Sequence, residues 1–148
     1  MLLRNASFNT LVLGLAAFGL VISGCAKKPG AEGKWVYKDI VVPTGTANTK
    51  QLDAAKKALS VSSIDINKDK TFTWNLAQTP IAGTWTSTDT KVTLTPKTIA
   101  KRSVEEFKKY APTVADDIHG SLSEDGKTLV LDGAGGQQGK ISFSRSEG

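Results

Sequence analysis

From Gly33 onward, apolar residues recur at every second position. Trp35 and Tyr37 alternate with Lys34, Val36 and Lys38, and Ile64 and Ile66 with Ser63, Asp65 and Asn67. Phe72, Trp74 and Leu76 alternate with Thr71, Thr73 and Asn75, and Val92 and Leu94 with Lys91, Thr93 and Thr95. Leu129 and Leu131 flank Val130, and Ile141 and Phe143 flank Ser142. Successive side chains of a strand point to opposite faces, so this period specifies strands with one face on a core and one in water. The abundance of Thr on the polar face agrees with a pleated surface. The expected strands are 34–42, 62–67, 70–76, 82–87, 91–96, 119–123, 128–132 and 140–145.

Turn-forming residues fall between these runs. Asn67-Lys68-Asp69-Lys70, Thr88-Asp89-Thr90 and Ser123-Glu124-Asp125-Gly126-Lys127 are hairpin-length gaps, and Gly126 is free to take a positive φ. Short gaps mean consecutive antiparallel strands. Two segments break the rhythm. Leu52, Ala55 and Leu59 lie at helical spacing within 50–60, where Asn48 or Thr49 can cap the start. Ser103-Val104-Glu105-Glu106 reads as a capping box opening a helix over 103–111, with Glu105 and Lys109 as an i,i+4 pair and Pro112 as its stop. Val104, Phe107 and Ala111 share one face, and Val114–Ile118 is expected to add a further turn. Both helical stripes are expected to pack on the core. The fold class is mainly β with minor α. Its meander of about eight strands avoids free edges by closing into a small barrel, and a β-sandwich is the alternative.

The first 24 residues are different in kind. Arg4 is their single charge, and an unbroken apolar or small-residue run extends from Leu11 to Ile22. Twelve helical residues rise about 18 Å, short of the ~30 Å hydrocarbon core of a bilayer, which suits the apolar region of a signal peptide. An uncleaved anchor helix over Phe8–Ile22 is the alternative. The only Cys of the 148 residues follows directly, in Val21-Ile22-Ser23-Gly24-Cys25. This resembles the bacterial lipoprotein lipobox, with Ile22 where Leu is commonest. The resemblance implies cleavage between Gly24 and Cys25 and lipidation of the Cys25 thiol. It implies a membrane-anchored protein of the bacterial cell envelope, facing the periplasm or exterior. Ala26, rather than Asp, after the Cys implies the outer membrane if the cell is Gram-negative. Two or more acyl chains give stable anchoring.

The chain then divides into a signal peptide (1–24), a lipidated tether (25–32) and a β domain (33–146). Loss of Arg4 lowers the net charge from +5 to +4. The charges are scattered, so no nucleic-acid footprint is present.

Within the β domain, Gly33-Lys34-Trp35, Asn67-Lys68-Asp69-Lys70-Thr71-Phe72-Thr73-Trp74, Gly83-Thr84-Trp85 and Asp125-Gly126-Lys127-Thr128-Leu129 resemble the motifs of small bacterial lipocalin-like lipoproteins. Those chains carry G-x-W, a D-G-T-F-like hairpin, a second G-T-W and a late D-G-K-x-L hairpin. Lys70 departs from the usual Gly, and the two helices look like additions. The resemblance implies a lipocalin-like barrel able to hold a small apolar ligand.

One Cys and one His exclude multi-Cys and multi-His metal sites, and neither a metal nor a cofactor is expected. Asp65-x-Asn67-x-Asp69 starts like a calcium loop, but Lys70 and Leu76 stand where Gly and Glu are needed. The run Gly133–Gly139 has neither dinucleotide-loop nor P-loop spacing and reads as a flexible connection. His119 lacks a nucleophile motif, although Asp116, Asp117 and a distant Ser leave a spatially assembled triad open. Trp35, Tyr37, Phe72, Trp74, Trp85 and Phe143 are the candidate inward residues, either filling the barrel or lining a ligand pocket. The expected function is non-enzymatic: a lipid-anchored envelope protein that binds a small apolar ligand. The alternatives are a structural or interaction lipoprotein contacting another envelope protein, and an envelope hydrolase.

Overall fold

The computed structural model describes residues 30–43, 48–112, 117–133 and 139–147. The apolar leader, Gly24, Cys25 and most of the Gly133–Gly139 run lie outside the described residues. So do residues 114–116 of the turn expected over 114–118; Asp117 is described, and Ile118 begins a strand.

All eight expected strands form. They are β1 (Gly33–Val41), β2 (Ser63–Ile66), β3 (Thr71–Leu76), β4 (Thr79–Thr88), β5 (Lys91–Ile99), β7 (Ile118–Leu122), β8 (Thr128–Asp132) and β9 (Lys140–Arg145). A two-residue strand, β6 (Arg102–Ser103), pairs outside the ring with β5. Each strand pairs antiparallel with its neighbours in the order β4-β3-β2-β1-β9-β8-β7-β5, and β4 also pairs with β5. That last pairing closes the sheet. The fold is an eight-stranded antiparallel barrel of the lipocalin-like kind, not a sandwich.

Inward positions follow the alternation read from the sequence. Trp35, Ile64, Ile66, Phe72, Trp74, Trp85, Val92, Leu94, Leu129, Leu131 and Phe143 are all at most 3% exposed. Two irregularities shift the parity. Tyr37 opposes Phe143, but Ile40 opposes Ile141, so one extra residue in β1 turns the inward set from odd to even numbers. Gly83 opposes Pro96 while Ala82 opposes Thr98, so Lys97 is the extra residue in β5, and Ile99 returns inward. Such bulges bend strands around a barrel. A side chain on Gly83 would put its Cβ 2.1 Å from the Thr95 carbonyl oxygen, so the bend requires glycine.

Several boundaries move. β4 starts at Thr79 and not at 82, because Ala77 and Gln78 (φ 46° and 74°) make a two-residue hairpin without Gly or Asn to announce it. β5 runs on to Ile99 for the same reason: Ala100 and Lys101 (φ 50° and 67°) turn the chain into β6. The first helix, α1 (Thr49–Leu59), is capped by Asn48, whose side chain accepts from Gln51 N while Asn48 N donates to Gln51 Oε1. None of its residues is buried, and only Leu59 packs against the core, so the expected core stripe is half solvated. The second helix, α2 (Val104–Lys108), is shorter than 103–111. Ser103 is its cap and accepts from Glu106 N. Lys109 N and Tyr110 N donate to carbonyls three residues back and Ala111 N to the Phe107 carbonyl four back, so regular helix gives way to turns just before Pro112. Lys109 therefore lies past the helix in which it was expected to pair with Glu105.

One end of the barrel is capped by the chain that leads into it. Ala31 is 1% exposed, and its carbonyl accepts from Trp35 Nε1 at 2.9 Å. Arg145 donates from Nη2 to the Gly30 carbonyl (2.6 Å), from Nη1 to the Glu32 carbonyl, and from Nε to the Gly126 carbonyl (2.8 Å). Its guanidinium also lies 4.4 Å from the Trp35 ring. Residues 30–32, expected as tether, are thus part of the folded domain. Gly33 carries the chain into β1 at φ 136°, a backbone conformation that L side chains rarely adopt. At the same end, Trp85 Nε1 donates to the Asn67 carbonyl (2.8 Å).

Lys70, the departure from the usual Gly, adopts the conformation a Gly would (φ 69°) and lays its ammonium 4.0 Å from the Trp85 ring centroid. The cation–ring contact offsets the strain of the left-handed backbone.

Replacing Arg145 by Ala removes three charge-assisted bonds and one stacking contact. It is expected to cost about 2–4 kcal/mol of stability in urea titration, with Arg145→Lys recovering little because it lacks the planar fork. Lys70→Gly is expected to leave thermal stability near the parent's, whereas Lys70→Ala keeps the strain, loses the contact and falls by about 0.5–1 kcal/mol.

Candidate functional site

The interior differs between its two ends. Trp35 and Trp85, near the capped end, are buried and have backbone partners for their indole N–H groups. Midway along the barrel, Trp74 is 0% exposed, and its Nε1 has no hydrogen-bond partner. Tyr37 is only half buried, yet its hydroxyl oxygen is shielded from solvent and also unpartnered. Both rings meet Phe143 edge to face. The centroids lie 6.5 Å (Tyr37) and 5.9 Å (Trp74) from it, at interplanar angles of 88° and 84°. Trp74 stands on β3 and Phe143 on β9, with β2 and β1 between them, so this contact crosses the barrel.

The six expected inward aromatics are therefore brought together, with Phe72 and Phe143 at 1% and 0% exposure. Around Tyr37 and toward the helices, the wall changes character. Tyr37, Ile40, Leu59, Leu76 and Phe107 pack against the core while keeping part of their surface in solvent. Nothing in the periodicity announces Leu59 and Phe107 as members of one rim, because α1 and α2 are far apart in sequence.

Electrostatics near Tyr37 are local. Burial pushes its phenol pKa above the ordinary value of 10.0, the Asp39 carboxylate pushes it further, and Lys56 opposes them. Asp39 is held below the usual carboxylate range by the bond from Lys56 (3.0 Å) and by the Ile40 N–H. The calcium-like triplet is absorbed by a turn. Asp69 accepts from Thr71 N and Thr71 Oγ1, which lowers its pKa, and Asn67 Nδ2 donates to Thr71 Oγ1.

His119 lies on the outer wall and is exposed. Its Nδ1 is 3.3 Å from Thr93 Oγ1, while Asp117 accepts from Thr95 Oγ1 at 2.6 Å. The two residues thus engage separate partners on β5. Lys91, Thr93, His119, Ser121 and Asp132 line a shallow outer depression of about 370 Å³. Among the described residues, no three His, Cys, Asp or Glu side chains gather as a metal site requires.

No protein-family model matches the sequence, and no curated protein matches it. In structure the chain is similar to a DUF4847 family protein from Bacteroides vulgatus, at 18% identity over 80% of this chain and 95% of that one, with a TM-score of 0.48. It is also similar to an uncharacterized protein from Bacteroides eggerthii, at 12% identity over 79% of this chain and 100% of that one, with a TM-score of 0.46.

The raised Tyr37 pKa sets a pH dependence. The folded state holds the phenolic proton more tightly than the unfolded state, so this contribution is complete below pH 10 and is lost as pH rises through the folded value. Urea titrations from pH 8 to 11 are expected to show the parent losing stability above pH 10 more steeply than Tyr37→Phe.

Proposed function

We propose that this protein is a lipid-anchored component of the bacterial envelope, non-enzymatic, whose barrel holds a small, mainly apolar ligand. The observation that carries this reading is the contrast between the two ends. Arg145, Trp35 and Ala31 close one end, with the Trp35 indole N–H and three guanidinium N–H groups donating to backbone carbonyls. Toward the other, half-buried Tyr37, Ile40, Leu59, Leu76 and Phe107 offer apolar surface to an entering molecule. Ligand sites are concave, mostly apolar and equipped with few polar groups.

The anchor is supported by the sequence alone. Cys25, behind its apolar leader and after Ser23 and Gly24, becomes the acylated N-terminus. Four residues then separate it from Gly30, whose carbonyl Arg145 holds. Fully extended, that link spans at most about 18 Å. The capped end, which receives it, therefore lies beside the membrane, and the rim formed with α1 and α2 points away from it.

A second reading has its own support. Trp35, Phe72, Trp74, Trp85 and Phe143 are each at most 1% exposed, as in a barrel filled by its own side chains. On that reading the protein is an interaction lipoprotein contacting another envelope component.

Mass spectrometry of the membrane-extracted protein tests the anchor. The expected mature N-terminus is Cys25 carrying a thioether diacylglyceryl group. An intact Met1, or an unmodified Cys25, contradicts it.

A further inference from the structure

We infer that the barrel interior is built for an uncharged molecule with a carbonyl-type acceptor, which takes hydrogen bonds from Trp74 Nε1 and Tyr37 Oη. This deepens the ligand-holding reading above and rests on it.

Three tryptophans share the interior, and their N–H groups are treated differently. Trp35 and Trp85 donate to the carbonyls of Ala31 and Asn67 at 2.9 and 2.8 Å. Trp74, as deeply buried, donates to nothing, and the Tyr37 hydroxyl is likewise unpartnered. An unpaired buried donor costs about 1–3 kcal/mol, and buried Trp and Tyr usually find partners. Phe143 touches both rings edge to face, and an aromatic face is at best a weak acceptor. Two orphan donors around one phenyl ring therefore mark a place where an acceptor arrives from outside the chain.

The donor set specifies its charge. Phenol and indole are neutral donors. Lys56, the cation that acts on the Tyr37 phenol, is bound to Asp39 at the surface, with both side chains more than 40% exposed. A carboxylate buried here would lack a counter-ion and lose its hydration, whereas a ketone, ester or amide oxygen loses little. The surrounding Phe143, Leu76 and Ile40 suit an apolar remainder.

Three probes of one size separate the possibilities: acetophenone, ethylbenzene and benzoate. Each is titrated into the full folded domain and followed by ¹H–¹⁵N NMR of the indole N–H resonances. The Trp74 signal is identified by its loss in Trp74→Phe. The expected result is that acetophenone binds about tenfold or more tightly than ethylbenzene, and benzoate most weakly. Acetophenone shifts the Trp74 N–H downfield and leaves those of Trp35 and Trp85 in place. Tyr37→Phe, nearly isosteric, is expected to erase most of the ketone's advantage, to leave ethylbenzene affinity unchanged, and to melt no lower than the parent.

Equal affinity for acetophenone and ethylbenzene would overturn the inference while the apolar ligand-holding reading stood. A markedly lower melting temperature for Tyr37→Phe would also overturn it, because the hydroxyl would then be satisfied in the free protein. Binding by none of the three probes would sink the ligand-holding reading itself and favour the filled barrel.

Discussion

Eight strands can close on themselves only if the side chains of every second position meet along one axis and fit there. That constraint sets most of this molecule. It turns the alternation of Trp35, Ile64, Phe72, Trp74, Trp85, Leu94, Leu129 and Phe143 with Thr, Ser and Lys into an inside and an outside. It also explains the two bulges. Without the extra residue near Lys38, Ile40 would face water, and without Lys97, Ile99 would do so. Pairing of β4 with β5 then removes the last free edges, and Gly83 allows the two backbones to approach at the bend.

The ends of such a barrel cannot be closed by the sheet itself, and here they differ. Arg145 gathers the carbonyls of Gly30, Glu32 and Gly126 and stacks on Trp35, so the incoming chain becomes a cap. The opposite half is covered by Leu59 from α1 and by Val104 and Phe107 from α2, of which Leu59 and Phe107 stay partly solvated. Between them stand Trp74 and Tyr37, whose polar atoms the protein buries and does not pair.

Much of the fold was legible in the chain, because period 2 is a strong signal when it repeats eight times and turn residues separate the runs. The hairpins missed were those without turn chemistry. Ala77-Gln78 and Ala100-Lys101 carry no Gly or Asn, so β4 looked shorter, and β5 ended early. Lys70 looked like a flaw in the hairpin, and only the position of the Trp85 ring shows why lysine is tolerated at a positive φ. α1 looked like a core helix because amphipathic spacing records a preference for a face, not how deeply that face is buried. The six aromatics were identifiable, but nothing in the sequence separates Trp74 from Trp35 and Trp85. Their partners, Ala31 and Asn67, are backbone carbonyls placed by the tertiary fold. Nothing in the sequence marks Arg145 either, since two of its acceptors lie more than a hundred residues away.

The central claim is that one end of the barrel is a rigid cap and the other a weaker, yielding rim. Native-state amide hydrogen exchange resolved by NMR measures this directly. The account predicts that the amides of Trp35, Trp85 and Arg145 exchange only through global unfolding, at the full unfolding free energy. Those of α1 and α2, around Leu59 and Phe107, should exchange through local openings several kcal/mol cheaper. Equal protection at both ends, or faster exchange at the Arg145 end, would contradict it.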